Sequence, residues 1–168
     1  SQIVQPWLDQ LSEQIGQSCS VALLDETEIV YIARAAQKRV MSIGLMPGSR
    51  LPAHCTSMGR VLLAALPREE ADLLVRRSDL TPRTKFSILD PVQTLCRIDA
   101  AREDGYAFVD QEVETGLRSI AVPLNDRKGL TVAALNIGLS SAGWTPKQTI
   151  ETYLPHLLGV QSALGRVL

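Results

Sequence analysis

No run of apolar residues in this chain approaches the ~18 that a bilayer-crossing helix needs. There are two histidines, His54 and His156, and three cysteines, Cys19, Cys55 and Cys96. They are scattered, with no Cys-x-x-Cys and no His-x-x-x-His spacing, so the sequence spells out neither a metal site nor a disulfide framework. An odd, dispersed set of thiols suits a reducing cytoplasm. Ser1-Gln2-Ile3-Val4 shows no basic-then-apolar signal pattern. Basic residues are not in surplus: 17 Lys and Arg stand against 18 Asp and Glu, for a net charge of −1 and a pI near 6.1. A folded nucleic-acid module usually carries a basic face, so this segment is not expected to touch DNA itself. Gly-x-Gly-x-x-Gly, phosphate-loop and nucleophile-elbow motifs are also missing, and no cofactor is expected.

What is present is core material. The chain has 168 residues, 45% of them hydrophobic, which suits one compact domain spanning residues 1–168. Ile3, Val4, Trp7, Leu8, Leu11 and Ile15 share one face at helical spacing, and Gly16 stops the pattern. Residues 20–24 and 29–35 read as a strand pair around Asp25-Glu26-Thr27-Glu28, with a third strand over 40–45 and a turn at Met46-Pro47-Gly48-Ser49-Arg50. Helices are expected over 54–66 and 68–77, then an irregular polar stretch over 80–89. Asp90-Pro91 starts another helix, and Gly105 is placed to cap its end. Strands over 106–110, 118–124 and 130–139 follow, the last two joined by Asn125-Asp126-Arg127-Lys128-Gly129. A long helix closes the pattern, with Thr145 as cap and Pro146 in its first turn. Hairpins without βαβ alternation predict an α+β fold: a central antiparallel sheet flanked by helices, as in GAF-like and PAS-like sensor domains.

Candidates for catalysis are few. Glu112 and Glu114 stand close together, yet the polar run around them reads as a solvated or capping loop. His54-Cys55 juxtaposes a base and a thiol at a predicted helix start, where the dipole can lower a thiol pKa. Cys55 as a redox sensor or enzyme nucleophile on a GAF-like scaffold is therefore the alternative to a non-enzymatic domain.

Three segments, in order, carry a family resemblance. The first is Leu51-Pro52-Ala53-His54-Cys55-Thr56-Ser57-Met58-Gly59-Arg60-Val61-Leu62-Leu63-Ala64. The second is Arg102-Glu103-Asp104-Gly105-Tyr106-Ala107, running on to Glu112 and Gly116. The third is Gly116-Leu117-Arg118-Ser119-Ile120-Ala121-Val122-Pro123, with Asp126 and then Val132-Ala133-Ala134-Leu135-Asn136. Together they resemble the effector-binding domain of the IclR family of bacterial transcription regulators. Arg39-Val40-Met41-Ser42-Ile43 with the 54–60 segment resembles its protocatechuate and 4-hydroxybenzoate (β-ketoadipate pathway) regulators. The resemblance implies a ligand-sensing and oligomerisation domain, a homodimer or homotetramer. Its partner would be a small carboxylate effector, an aromatic acid or pathway intermediate. It also implies an N-terminal winged helix-turn-helix domain, absent from this chain, through which alone DNA would be bound.

The same resemblance assigns ligand binding to Ser57, Met58, Val109, Leu117, Ser119 and Asn136. These types make physical sense. A helix start at Ser57 and Met58 offers unpaired amides to a carboxylate, although Thr56 can equally serve only as a cap. Asn136 alternates with Val132, Ala134 and Gly138, and an inward amide needs a partner. Ser119 is either a pocket hydroxyl or a small core residue. Met58, Val109 and Leu117 are either walls for a ring or plain core. Arg34 either meets a ligand carboxylate or forms an edge or interface ion pair. Val109 stands where relatives that sense keto acids can carry Asp, and Asn136 where they can carry Ser. Loss of the acidic group favours an anionic aromatic or longer acid.

Overall fold

The computed structural model describes residues 1–37 and 44–168. The elements run α1 (Gln5–Ile15), β1 (Ser18–Asp25), β2 (Glu28–Ala35), β3 (Arg50–Pro52), α2 (Ser57–Ala64), α3 (Arg68–Arg76), α4 (Pro91–Asp104), β4 (Ala107–Asp110), β5 (Leu117–Asn125), β6 (Thr131–Ser140) and α5 (Pro146–Leu164). The strands form one sheet in the order β3-β2-β1-β6-β5-β4, and every pairing in it is antiparallel. This is the α+β architecture expected from the hairpin-rich pattern. Among the described residues no helix is long and apolar enough to cross a membrane.

Local chemistry sets the helix boundaries. Gly16 and Gly105 take left-handed φ of 69° and 81° and close α1 and α4. Asp90 accepts from the Val92 amide at the start of α4. Thr145 and Gln148 form a reciprocal capping box at the start of α5. Pro155 sits inside α5 without ending it. Strand β3 replaces part of the expected turn. Three residues containing Arg and Pro offer no alternation to read, and a proline is tolerated there because β3 is an edge strand. The strand expected over residues 40–45 falls largely outside the described residues, as does the 39–43 motif.

The two faces of the sheet differ in residue size, and this difference positions the site. One face carries Cys19, Val21, Ile120, Val122, Leu124, Leu135, Ile137 and Leu139, which pack against α1 and α5 through Leu8, Leu11, Tyr153, Leu157 and Leu164. The opposite face carries Ala22, Ala107, Ala121 and Ala134 under α2 and α4, whose Met58, Val61, Leu62, Leu63 and Ile98 complete a second core. Bulky residues fill the first layer. The alanine face lets α2 lie close to the strands.

A close approach also shapes the entry to α2. A Cβ on Gly59 would stand 2.0 Å from the Ala53 carbonyl oxygen, so only glycine lets the 53–56 turn fold under the helix. Gly59→Ala is expected to lower stability in urea unfolding by about 1–3 kcal/mol or more, as overpacking against backbone does.

Candidate ligand-binding site

The floor of the site is the small-residue face of the sheet. Ser20 pairs with Arg34 on one side and Asn136 on the other, and Asn136 pairs in turn with Ala121. One row further along, Gly138 pairs with Ser18 and Ser119, and Ser119 with Val109. Paired residues share a face, so these rows leave a depression where larger side chains would have filled it.

A β-bulge brings in two further side chains. Val21 pairs with Ala33 and Ala22 with Tyr31, which leaves Ile32 as an extra residue in β2. In a regular strand Tyr31 and Arg34 would point to opposite faces. The bulge turns both toward α2. The Arg34 Nη1 donates to Ser20 Oγ at 3.0 Å. Arg34 also lines the site. Burial pushes the Tyr31 phenol up to about 12, so it stays protonated.

The start of α2 forms the roof. Thr56 Oγ1 accepts from the Gly59 amide at 3.1 Å and donates to the Pro52 carbonyl at 3.0 Å. Thr56 is thus fully used as the cap. The amides of Ser57 and Met58 have no partner within the helix, a property of any helix's first turn. Met58 is buried and faces the cavity.

A side wall comes from β4, β5 and the loop between them. Val109, Val113 and Leu117 line it. Two positive φ values, 63° at Gln111 and 88° at Gly116, turn this loop. The Gln111 side chain accepts from the Gly116 amide at 2.9 Å. Thr84 and Ser87 donate their hydroxyls to the carbonyls of Gln111 and Glu112 at 2.6 and 3.0 Å.

The loop is clamped to α2 by a buried ion pair. Arg60 Nη1 and Nη2 meet the two carboxylate oxygens of Glu112 at 2.8 and 2.6 Å. The Nε of Arg60 donates to the His54 carbonyl at 2.9 Å. The side chains are 3% and 8% exposed, so the pair works without solvent screening. Glu112 is therefore not the solvated loop residue its polar neighbours suggested.

These walls bound about 540 Å³ of empty space, the mouth included. The space is a narrow slot. All six residues assigned from sequence, Ser57, Met58, Val109, Leu117, Ser119 and Asn136, line it. Tyr31, Leu45, Leu51, Val113 and Gly138 line it too and were not foreseen. Two side-chain atoms in the slot, Asn136 Oδ1 and Ser57 Oγ, are buried and have no hydrogen-bond partner among the described residues.

His54 and Cys55 do not form an activated pair. Burial pushes the Cys55 thiol up to about 11, outweighing the nearby Arg83 and Arg60. Burial, followed by the charges of Arg60 and Arg83, pulls His54 down to about 4. A neutral imidazole beside a protonated thiol is the reverse of a reactive thiolate–imidazolium couple. Among the described residues no group of three or more His, Cys, Asp or Glu is arranged to hold a metal ion.

Arg60→Ala would leave the Glu112 carboxylate buried and uncompensated. A loss of about 3–5 kcal/mol in chemical denaturation is expected, whereas replacing both partners with apolar residues of similar volume is expected to recover most of it.

Comparison with known proteins fits this geometry. The family model "Bacterial transcriptional regulator IclR C-terminal" matches residues 1–164. The Pca regulon regulatory protein of Pseudomonas putida is 42% identical over 161 residues, 95% of this chain and 55% of that protein. The p-hydroxybenzoate hydroxylase transcriptional activator of Acinetobacter baylyi is 36% identical over 167 residues, 96% of this chain and 62% of that protein. The chain thus spans little more than half the length of these two relatives. Among solved structures, a double mutant of the PobR inducer-binding domain from Acinetobacter, in complex with 3-hydroxybenzoic acid, superposes with a TM-score of 0.91 at 34% identity, covering 99% of this chain and 98% of that one. The IclR protein of Thermotoga maritima superposes at 0.86 with 25% identity, over 98% of this chain and 68% of that one. With its family model covering nearly the whole chain and its fold shared with solved members, this chain belongs to the IclR family of bacterial transcriptional regulators, as the C-terminal domain.

Proposed function

We propose that this chain is the ligand-sensing domain of a regulator of aromatic-acid catabolism, and that the slot takes a hydroxylated aromatic carboxylic acid. The observation that carries this reading is the pair of unpartnered polar atoms, Asn136 Oδ1 and Ser57 Oγ, held in a narrow, mostly apolar slot. Leaving such atoms unpaired costs about 1–3 kcal/mol each, so a ligand that completes them gains that much. Asn136 Oδ1 is an acceptor and calls for a donor, such as a phenolic hydroxyl. The free amides of Ser57 and Met58, the helix dipole and the Arg34 guanidinium suit a carboxylate. Met58, Val109, Val113 and Leu117 suit the two flat faces of a ring.

The relatives support the same class. One is named for p-hydroxybenzoate hydroxylase activation, and a structural neighbour holds 3-hydroxybenzoic acid. DNA contact is assigned to a winged helix-turn-helix domain outside this chain, in a cytoplasmic homodimer or homotetramer. Ligand binding would favour one arrangement of the domain and its interfaces, and a coupling of about 1–3 kcal/mol is enough to change operator affinity. Catalysis is not part of this reading, since the Cys55 alternative lacks a thiolate. Ser119 and Gly138 set the depth of the slot.

Thermal shift with protocatechuate, 4-hydroxybenzoate, 3-hydroxybenzoate, benzoate and pyruvate tests it. A ligand at about 100 times its dissociation constant adds about 2.7 kcal/mol of stability. A hydroxybenzoate or protocatechuate is expected to raise the melting temperature more than benzoate, and Asn136→Ala is expected to erase that difference. Stabilisation by pyruvate alone would contradict the aromatic assignment. No stabilisation by any of them would favour a domain that only assembles.

A further inference from the structure

A second concavity lies on the other side of the segment that starts α2. Thr27, Glu28 and Pro52 form one bank, Ser78, Asp79, Thr81 and Arg83 the other, and His54 lies between them. It is an open groove of about 850 Å³, the solvent at its mouth included. Its character is polar, unlike that of the slot.

Three observations point to an occupant. His54 is only 5% exposed, and its Nδ1 is buried with no hydrogen-bond partner among the described residues. Such an atom inside a fold usually has a water or ligand to complete it. Arg83 is anchored through its backbone, whose amide donates to Ser87 Oγ at 2.9 Å, while its guanidinium forms no ion pair with any described residue. Its charge is felt at His54. Asp79 is fixed in its ionised form by the amide of Thr81 at 3.0 Å and by the Thr81 hydroxyl, which together hold its carboxyl below the usual range. The groove is thus lined by one cation outside any ion pair of the described residues, by two carboxylates, Asp79 held by Thr81 and Glu28 paired with Arg50, and by a neutral imidazole.

We propose that this groove is a second small-molecule site, for a short carboxylate that carries a hydroxyl or ammonium group beside its charge. Arg83 receives the carboxylate as a planar fork. Asp79 is the acceptor for the neighbouring donor, and His54 lies against the ligand as part of the groove's lining. The site is separate from the slot, and its occupation does not depend on what the slot binds. The two share one segment: His54 faces the groove, while Ser57 and Met58, a few residues on, line the slot. The His54 carbonyl is also a partner of Arg60.

The chain has only two histidines, which makes the test direct. The domain is labelled with ring-enriched histidine and followed by NMR, with His156 on α5 as internal control. L-malate supplies the hydroxyl, L-serine the ammonium, and succinate neither. Each is titrated to about 10 mM, which fills about nine-tenths of a site with a dissociation constant of ~1 mM. The expected result is saturable movement of the His54 resonances with malate or serine and little with succinate, while His156 stays still. Malate and serine distinguish which donor the site prefers. Arg83→Gln, an exposed change, is expected to weaken the response roughly tenfold or more. The proposal is overturned if no probe moves His54 saturably, if succinate acts as well as malate and serine, if both histidines move together, or if Arg83→Gln changes nothing. Thermal shift with a hydroxybenzoate reads the slot separately, so failure of one site leaves the other testable.

Discussion

The fork between Arg60 and Glu112 holds the site together. It joins a helix to a loop 52 residues away in sequence. Neither partner is solvated, so the pair is worth keeping only with its geometry complete: two parallel bonds to the carboxylate and a third from Arg60 to the His54 carbonyl. Because α2 is fixed to the 111–116 loop, Met58 on one and Val113 on the other are held at a set separation. The width of the slot is the distance between two clamped elements. The Thr84 and Ser87 hydroxyls brace the loop from outside, so the wall is fixed on both sides.

The slot exists because the sheet is asymmetric. One face spends its volume on Ile, Val and Leu against α1 and α5. The other is Ala, Ser and Gly where β1, β5 and β6 run side by side, so packing stops short and leaves a space. Into it the fold sets polar atoms that it does not satisfy itself. Elsewhere its buried hydroxyls are used: Ser12 donates to the Gln17 carbonyl and Thr149 to the Thr145 carbonyl. Asn136 and Ser57 are exceptions, and they occur together on opposite walls of one slot. Polar atoms left unpartnered on two sides of one space are what an entering ligand would complete.

Much of this was legible in the sequence, for local reasons. Thr145-Pro146, Asp90-Pro91 and Gly105 act within a few residues of themselves, so their capping chemistry can be read without a fold. Period-two spacing sets Asn136 on one face of β6 with Ala134 and Gly138, and the family resemblance assigned it to the pocket. Four features were not legible. The bulge at Ile32 breaks the period of two, so Tyr31 and Arg34 share a face that alternation denies them. Glu112 lies in a polar run and looks solvated; only its distant arginine makes it a buried residue. Strand β3 is too short, and too rich in Arg and Pro, to show a pattern. The unpartnered nitrogen of His54 depends on burial by segments far apart in the chain, which no local spacing records.

The central claim is that a ligand completes Asn136. The side-chain amide of Asn136, assigned through its loss in Asn136→Ala, reports this directly in an NMR titration with 4-hydroxybenzoate and, in parallel, with benzoate. The account predicts a large, saturable shift of that amide with the hydroxylated acid and a much smaller one with benzoate at equal occupancy, because only the former brings a donor to Oδ1. Equal shifts with both acids, or binding of 4-hydroxybenzoate that leaves the Asn136 amide where it was, would contradict it.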